Sequence, residues 1–469
     1  MSSQIAPVVR RRADFSAYGA RVTIIEAGAV IFGLLAVVFL AWPLYRLSSP
    51  LEFNRNEPWN AWFIDAAVRG TGLYPGASEL TVNNYPPLSF YIVGLVSELT
   101  GDTIYAGRLV ALMSAGALAL AVALCVQALG GRRITAVFGG LWCLATLAYF
   151  FSRYAGVNDP NLLALAAMGL ALALFLSRVS KGRPAGTAIA CMVLAGFIKH
   201  SLIAIPLAAG VWLLLKDWRQ GVRAILLGAL LTALGLGLCR YFYGANFFAE
   251  MLMPREISVS HIWKNAGKIQ YIAPALLVWA YWAWTNRGRE AAQFTALLMG
   301  TSLFSDVLQA AGAGVALNSH LEAVFAAGIG LALAFEGIAG TSLAKRSGAT
   351  ALQAAVLAVL VLRLVLGENL EPYLLLTSPA FRQDVRLKEA AMEAEVSRIK
   401  AIPGVVACKP LMTACYRAGK PFVYDEFWVD QMIATGKLTE IALTRSIHNH
   451  GIHFEQIDEK AVLGKRRAF

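Results

Sequence analysis

The sequence predicts an all-α polytopic membrane protein carrying a small C-terminal α/β domain. Three observations lead there. Of 469 residues, 58% are hydrophobic and only 15% are charged, against about a quarter charged in soluble domains. The apolar residues come in runs of roughly 15 to 25, the length that crosses a hydrocarbon core about 30 Å thick. From about Glu371 these runs stop, and the composition becomes that of a soluble unit.

Taken in order, spans are expected near 22–44, 104–128, 134–151, 160–178, 186–199, 201–215, 222–242, 270–285, 292–310, 321–340 and 349–366. Arg10-Arg11-Arg12 precedes a full-length span instead of a short signal-peptide core, so no cleavable leader is expected. The formal charge of +12 does not point to nucleic acid. Its basic clusters sit in short connections: Arg132-Arg133, Arg178 to Arg183, Lys216 to Arg223, Arg287/Arg289 and Lys345-Arg346. That is where the positive-inside rule places cytoplasmic loops. With the N-terminus inside, eleven crossings put each of these clusters in the cytoplasm and the C-terminus outside. The expected location is a bacterial inner membrane, with the site and the C-terminal domain periplasmic.

Two choices carry that count. Residues 86–100 resemble a short span, but counting them moves Arg132-Arg133 outside, so they are read as a juxtamembrane or re-entrant helix. The apolar stretch 186–215 has basic residues at both ends. It therefore crosses twice, in arms of about 15 residues spanning about 22 Å each, with Lys199-His200 at the tip. The domains are expected at 1–369, with a first external loop at 48–103, and at 370–469. In the C-terminal unit, 379–400 reads as a helix and 426–446 as two short helices. Strands are expected at 404–408, 421–425 and 453–458. Cys408 and Cys415 lie in this polar region and are able to pair if it is extracytoplasmic. Cys125, Cys143, Cys191 and Cys239 fall in apolar runs and read as packing residues.

The first external loop is unusual for its length. Its span from Phe53 to Tyr91 is rich in Trp, Tyr and Pro, opens with Asn56-Glu57-Pro58 and closes with Tyr85-Pro86-Pro87. A long loop without the composition of disorder is usually functional. On the eleven-span topology the same face collects RYAGVND (153–159), Lys199-His200, residues 243–268 and NSHLE (318–322). Ionisable groups at membrane boundaries are costly enough to be functional candidates. Five such clusters on one face suggest one outward-facing site.

Several of these segments carry a resemblance. An acidic residue opening the first loop, a G-x-x-x-Y and PPL-type segment, and G-R before the second span are similar to GT-C glycosyltransferases. The nearest groups are the protein O-mannosyltransferase, aminoarabinose transferase and lipopolysaccharide-core galacturonosyltransferase relatives. The second acidic position, R-Y-A-x-x-x-D-P, is matched by Arg153, Tyr154, Ala155, Asp159 and Pro160. Lys199 in GFIKHS matches the lysine after the next-but-one span. GAGVALNSHLE (312–322) resembles an external loop of a bacterial subgroup.

The resemblance implies transfer of a sugar from a polyprenyl-phosphate donor to a lipid or glycan acceptor, with membrane lipids as partners. A lipid phosphate is already a good leaving group. One carboxylate to take the acceptor's proton, with cations to stabilise the phosphate, then suffices. Glu57 is the candidate base, although Asn56, Glu57 and Pro58 also suit a helix start. Asp159 is the second acidic candidate and Lys199 the candidate phosphate binder. His200, Arg153, His320, Glu322 and Tyr85 are candidate substrate contacts, and Arg108 an equal candidate for a structural ion pair. Two departures stand out. Many relatives have Asp where Asn56 stands, and aminoarabinose transferases have Lys where Tyr85 stands. No cofactor is expected, and a divalent metal is possible without being predicted. The competing readings are a transporter or lipid flippase, and a scaffold whose site Asn56 has disabled.

Overall fold

A computed structural model describes residues 16–76, 80–367 and 369–463. The Arg10-Arg11-Arg12 cluster lies outside the described residues. The chain opens with α1 (Ser16–Arg46) and then forms two helices in the first loop, α2 (Asn56–Arg69) and α3 (Leu88–Thr100). Next come α4 (Thr103–Ala128), α5 (Arg133–Phe150) and α6 (Asn161–Val179). The hairpin α7 (Gly186–Gly196) and α8 (Ala204–Lys216) follows, then the long α9 (Trp218–Met251). Beyond it lie α10 (Val259–Ala266), α11 (Ala273–Thr285), α12 (Glu290–Ala310), α13 (Leu321–Gly337), α14 (Ser342–Ser347) and α15 (Ala349–Val365).

A helix stands at each expected span. Among the described residues, seven are long and apolar enough to cross a membrane: α1, α4, α5, α6, α9, α12 and the 317–340 stretch containing α13. By contrast α7, α8, α11 and α15 have 11, 13, 13 and 17 residues, short of the roughly 20 a full crossing takes. The segment expected to be a juxtamembrane helix is α3, which packs between α2 and α4. The large core lies between α1, α4, α5, α6 and α13. Small residues allow the close approach. A Cβ on Gly139 of α5 would stand 2.8 Å from the Gly328 carbonyl of α13, the packing that small residues permit between membrane helices.

The helix ends sort the polar residues into two faces. Arg132 pairs with Glu336 at 2.6 Å and Lys216 with Glu290 at 2.5 Å. The starts of α5 and α12 therefore lie beside the ends of α13 and α8. The first loop, residues 151–160 and the α7–α8 tip gather at the opposite end, tied together by hydrogen bonds such as Leu88 N–H to the Phe197 carbonyl at 3.1 Å. α9 bends onto that end. Gly244 has φ +70°, a value L side chains rarely adopt, and interrupts the helix there. The turns beyond it deliver Glu250, which accepts from the backbone N–H groups of Gly76 and Asn83, both at 2.6 Å.

The C-terminal region comprises α16 (Glu371–Thr377), α17 (Pro379–Ala401), β1 (Val406–Lys409), α18 (Met412–Arg417), α19 (Glu426–Ala434), α20 (Glu440–Asn449), β2 (His453–Gln456) and α21 (Glu459–Leu463). β1 and β2 pair in parallel. The expected strand at 421–425 is not one. Those residues run as coil against the first loop, where Phe422 stacks on Trp62 at 4.6 Å and the Asp425 N–H bonds the Leu80 carbonyl at 2.9 Å. The apolar character there goes with packing against the first loop, and no ladder forms. Cys408 and Cys415 are joined by a disulfide. The region is fastened to the first loop elsewhere too: Ser49 donates to Glu389 at 2.6 Å, and the Thr413 N–H to Glu52 at 2.8 Å.

Candidate active site

The site rests on a closed electrostatic cage. Arg108, near the start of α4, is fully buried. It donates to the carbonyls of Arg46, Ser49 and Leu51 at 2.6 to 2.7 Å and meets both oxygens of Glu57 at 2.7 and 2.9 Å. Glu57, also fully buried, accepts further from the backbone N–H groups of Phe53 at 3.0 Å and Asn158 at 3.3 Å. Burial alone would raise its carboxyl; Arg108, the Phe53 amide and Arg46 together hold it below its ordinary range. Such bidentate, charge-assisted pairing is strong and directional. It occupies both oxygens of the carboxylate expected to act as base. Arg108 takes the structural role left open for it.

Glu57 instead fixes its neighbours. Its backbone carbonyl accepts from the Asn158 side chain at 3.1 Å. Asn158 fits because residue 107 is glycine: a Cβ there would lie 1.9 Å from the Asn158 Oδ1. This brings residue 159 against the start of α2. Asn56 Nδ2 then donates to Asp159 Oδ2 at 3.0 Å. Asn161 donates to Asp159 Oδ1 through its backbone N–H at 2.9 Å and its side chain at 2.5 Å. Asn56 is not the cap of α2; Asn54 takes that N–H through its Oδ1 at 2.9 Å. The Asn56 amide is free to hold Asp159 instead, a contact that an aspartate at position 56 could not make in its charged form.

Cations and aromatics line the open side. Lys199, on the α7–α8 tip, places its ammonium 3.5 Å from the Tyr85 ring centre and stands in the fields of Asp159 and Arg255. Tyr85 packs on Trp59 at 4.9 Å and stands in the fields of Asp159, Arg255, Tyr154 and Asp425. Arg255, in the connection after α9, lies over the Trp428 ring at 4.8 Å. The crevice beside Asp159, between Ser89, Phe90, Gly107 and Pro160, holds only about 10 Å³, room for about one water.

Asp425 enters from the C-terminal region. Almost fully buried, it caps α19 through the Trp428 N–H at 3.2 Å. Burial pushes its carboxyl up to about 7, against hydrogen bonds from Trp428 and Trp59. A carboxyl raised above its unfolded value of 3.8 favours the folded state only while protonated, so stability falls as pH rises from about 4 to about 7. Asp425→Asn keeps a good cap and removes that slope. It is expected to melt higher than the parent at pH 8, by at most about 4 kcal/mol equivalent, and equally at pH 4. Thermal unfolding in detergent at both pH values measures this.

The other expected contacts are placed differently. Glu322 is buried and accepts from the Ala204 N–H at 2.9 Å and Ser305 at 2.8 Å, so it caps the start of α8. His320 is buried between Asp306 at 2.5 Å and the Asn265 carbonyl at 3.2 Å. Neither reaches the Asp159 cluster; both hold helices together. Arg153 and His200 are exposed on its rim. Arg255 and Asp425 were not singled out in the sequence. Arg255 lay in an outward connection with nothing to distinguish it from its neighbours, and only tertiary packing brings Asp425 near position 159. Among the described residues no group of three or more His, Cys, Asp or Glu stands close enough to hold a metal.

No protein-family model matches the chain, and no curated protein sequence matches it. Solved structures do. ArnT from Cupriavidus metallidurans in the apo state aligns with a TM-score of 0.58 at 15% identity, over 92% of this chain and 94% of that one. The same protein bound to undecaprenyl phosphate gives 0.56 at 15% identity, over 86% and 88%. Archaeal oligosaccharyltransferase AglB from Archaeoglobus fulgidus, in complex with an inhibitory peptide and a dolichol-phosphate, gives 0.50 at 12% identity, over 95% and 70%. The likeness spans most of the chain and shows a fold shared with ArnT and AglB.

Proposed function

We propose that this GT-C-fold membrane protein moves a sugar from a polyprenyl-phosphate donor to an acceptor hydroxyl at the periplasmic face of a bacterial inner membrane. The observation that carries the reading is the convergence of Asp159, Lys199, Arg255 and Tyr85 at one end of the bundle. Four distant segments supply them. Residues 1–369 form the catalytic unit, entered by eleven crossings that include the short α7–α8 pair, and 370–469 form an appended domain. ArnT and AglB were solved with polyprenyl phosphates, which supports a lipid-phosphate partner here.

In this reading Asp159, not Glu57, takes the proton. The acceptor oxygen bonds the anomeric carbon as that carbon's bond to the lipid phosphate breaks, and the acceptor's proton passes to the Asp159 carboxylate. The electron pair leaves on the phosphate, where Lys199 and Arg255 offset the accumulating charge. Asn56 and Asn161 keep the carboxylate aimed. The acceptor itself needs no activation beyond this.

Mass spectrometry of envelope glycolipids from cells with and without the protein tests the reading. Loss of one sugar mass from a glycolipid supports it, and identical profiles overturn it. Lys199→Gln is expected to weaken binding of undecaprenyl phosphate about ten- to a hundredfold, the scale of one lost charge-assisted hydrogen bond. Titration of the lipid in detergent checks this.

A further inference from the structure

A second polar cleft opens on the same face, away from Asp159. Its volume is about 340 Å³, within the range of small-ligand sites. His261, Lys264, Asn265, Lys268, Gly314 and Val315 are among the residues that line it. Asn265 is buried and rigidly set. Its Nδ2 donates to the carbonyls of His261 and Val315, each at 3.2 Å, and its Oδ1 accepts from Lys268 at 3.1 Å. Among the described residues neither lysine has a carboxylate partner. Burial, and then the charge of Arg153, hold the Lys268 ammonium below its ordinary range. Positive charge is thus concentrated in a preformed hollow without a counterion.

The surroundings say what kind of anion comes there. Leu252, Ile257, Val259 and Trp263 are all strongly exposed on the segment that carries the cleft. Val259 and Trp263 lie one turn apart on α10 and share a face, while His261 and Lys264 turn to the cleft. An amphipathic helix with an exposed Trp on its apolar face lies in the bilayer interface. The mouth of the cleft therefore stands at headgroup level.

We infer that this cleft is an anion site that receives the phosphate of an anionic membrane lipid headgroup. It is separate from the cations that face Asp159. The binding itself does not depend on the transfer reading.

The test uses the full-length protein in nanodiscs of phosphatidylcholine and phosphatidylglycerol in equal amounts. A photoreactive benzoylphenylalanine replaces Val315, and mass spectrometry identifies the lipid adduct. Phosphatidylglycerol is expected to be captured over phosphatidylcholine by about thirtyfold, the preference two lysines near a surface give. Lys264→Gln with Lys268→Gln is expected to erase that preference, and Asp159→Asn to leave it intact. Capture blocked by added inorganic phosphate supports recognition of the phosphate group itself. Capture that survives inorganic phosphate yet falls with the lysine changes supports recognition of the lipid headgroup as a whole. Equal capture of the two lipids by the unsubstituted cleft, or a preference that outlasts both lysine changes, overturns the inference. Absence of lipid selectivity in the protein with both lysines present, with envelope transfer intact, sinks the cleft alone, whereas selectivity without any transfer sinks only the enzymatic reading.

Discussion

Asp159→Asn is expected to reduce sugar transfer by about 10²- to 10⁴-fold, the usual worth of a positioned proton acceptor, while the protein folds and inserts as before. The substitution is nearly isosteric, and an amide at position 159 still accepts through its oxygen from Asn161. What it loses is the capacity to take a proton. The comparison is made between parent and variant in the same membranes, with unfolding temperature as the control for structure. Transfer within threefold of the parent would exclude Asp159 as base and leave the outward side of the site without a carboxylate of its own, apart from Asp425.

Glu57→Gln and Arg108→Gln are expected to act on folding, not on chemistry. Each strands a buried charge that now has a bidentate partner, and breaking such a pair costs about 3–5 kcal/mol. Removing Arg108 also orphans the three carbonyls it serves. Both variants should show reduced yields of monodisperse protein and lower unfolding temperatures, measured by fluorescence-detected size exclusion and thermal melts. A Glu57→Gln protein with the parent's melting behaviour and no transfer would return the catalytic role to Glu57.

The fold was largely legible, because a hydrophobic run long enough for a bilayer leaves few alternatives. A helix occurs at each expected span, and 86–100 holds the 13-residue helix α3. The composition break near Glu371 and the helices at 379–401 and 426–449 were equally visible. The failed strand at 421–425 marks the limit: burial by a partner segment and burial in a sheet look alike in sequence. The site was legible as a set of segments but not as a set of roles. Asn56 and Glu57 do lie together with Asp159 and Arg108. What each contacts depends on Arg108, 51 residues from Glu57 in the chain, which binds both of its carboxylate oxygens. Arg255 and Asp425 were invisible for the same reason, since no local pattern announces a long-range approach.

The fastening of the last hundred residues onto the first loop has a consequence for biosynthesis. Glu389, Thr413, Phe422 and Asp425 all clasp residues between 49 and 80. A ribosome completes every helix of the bundle before it makes any of these four. A nascent chain therefore passes through a stage in which the bundle is complete but these four contacts are missing, and they form only when the tail has closed back on the beginning.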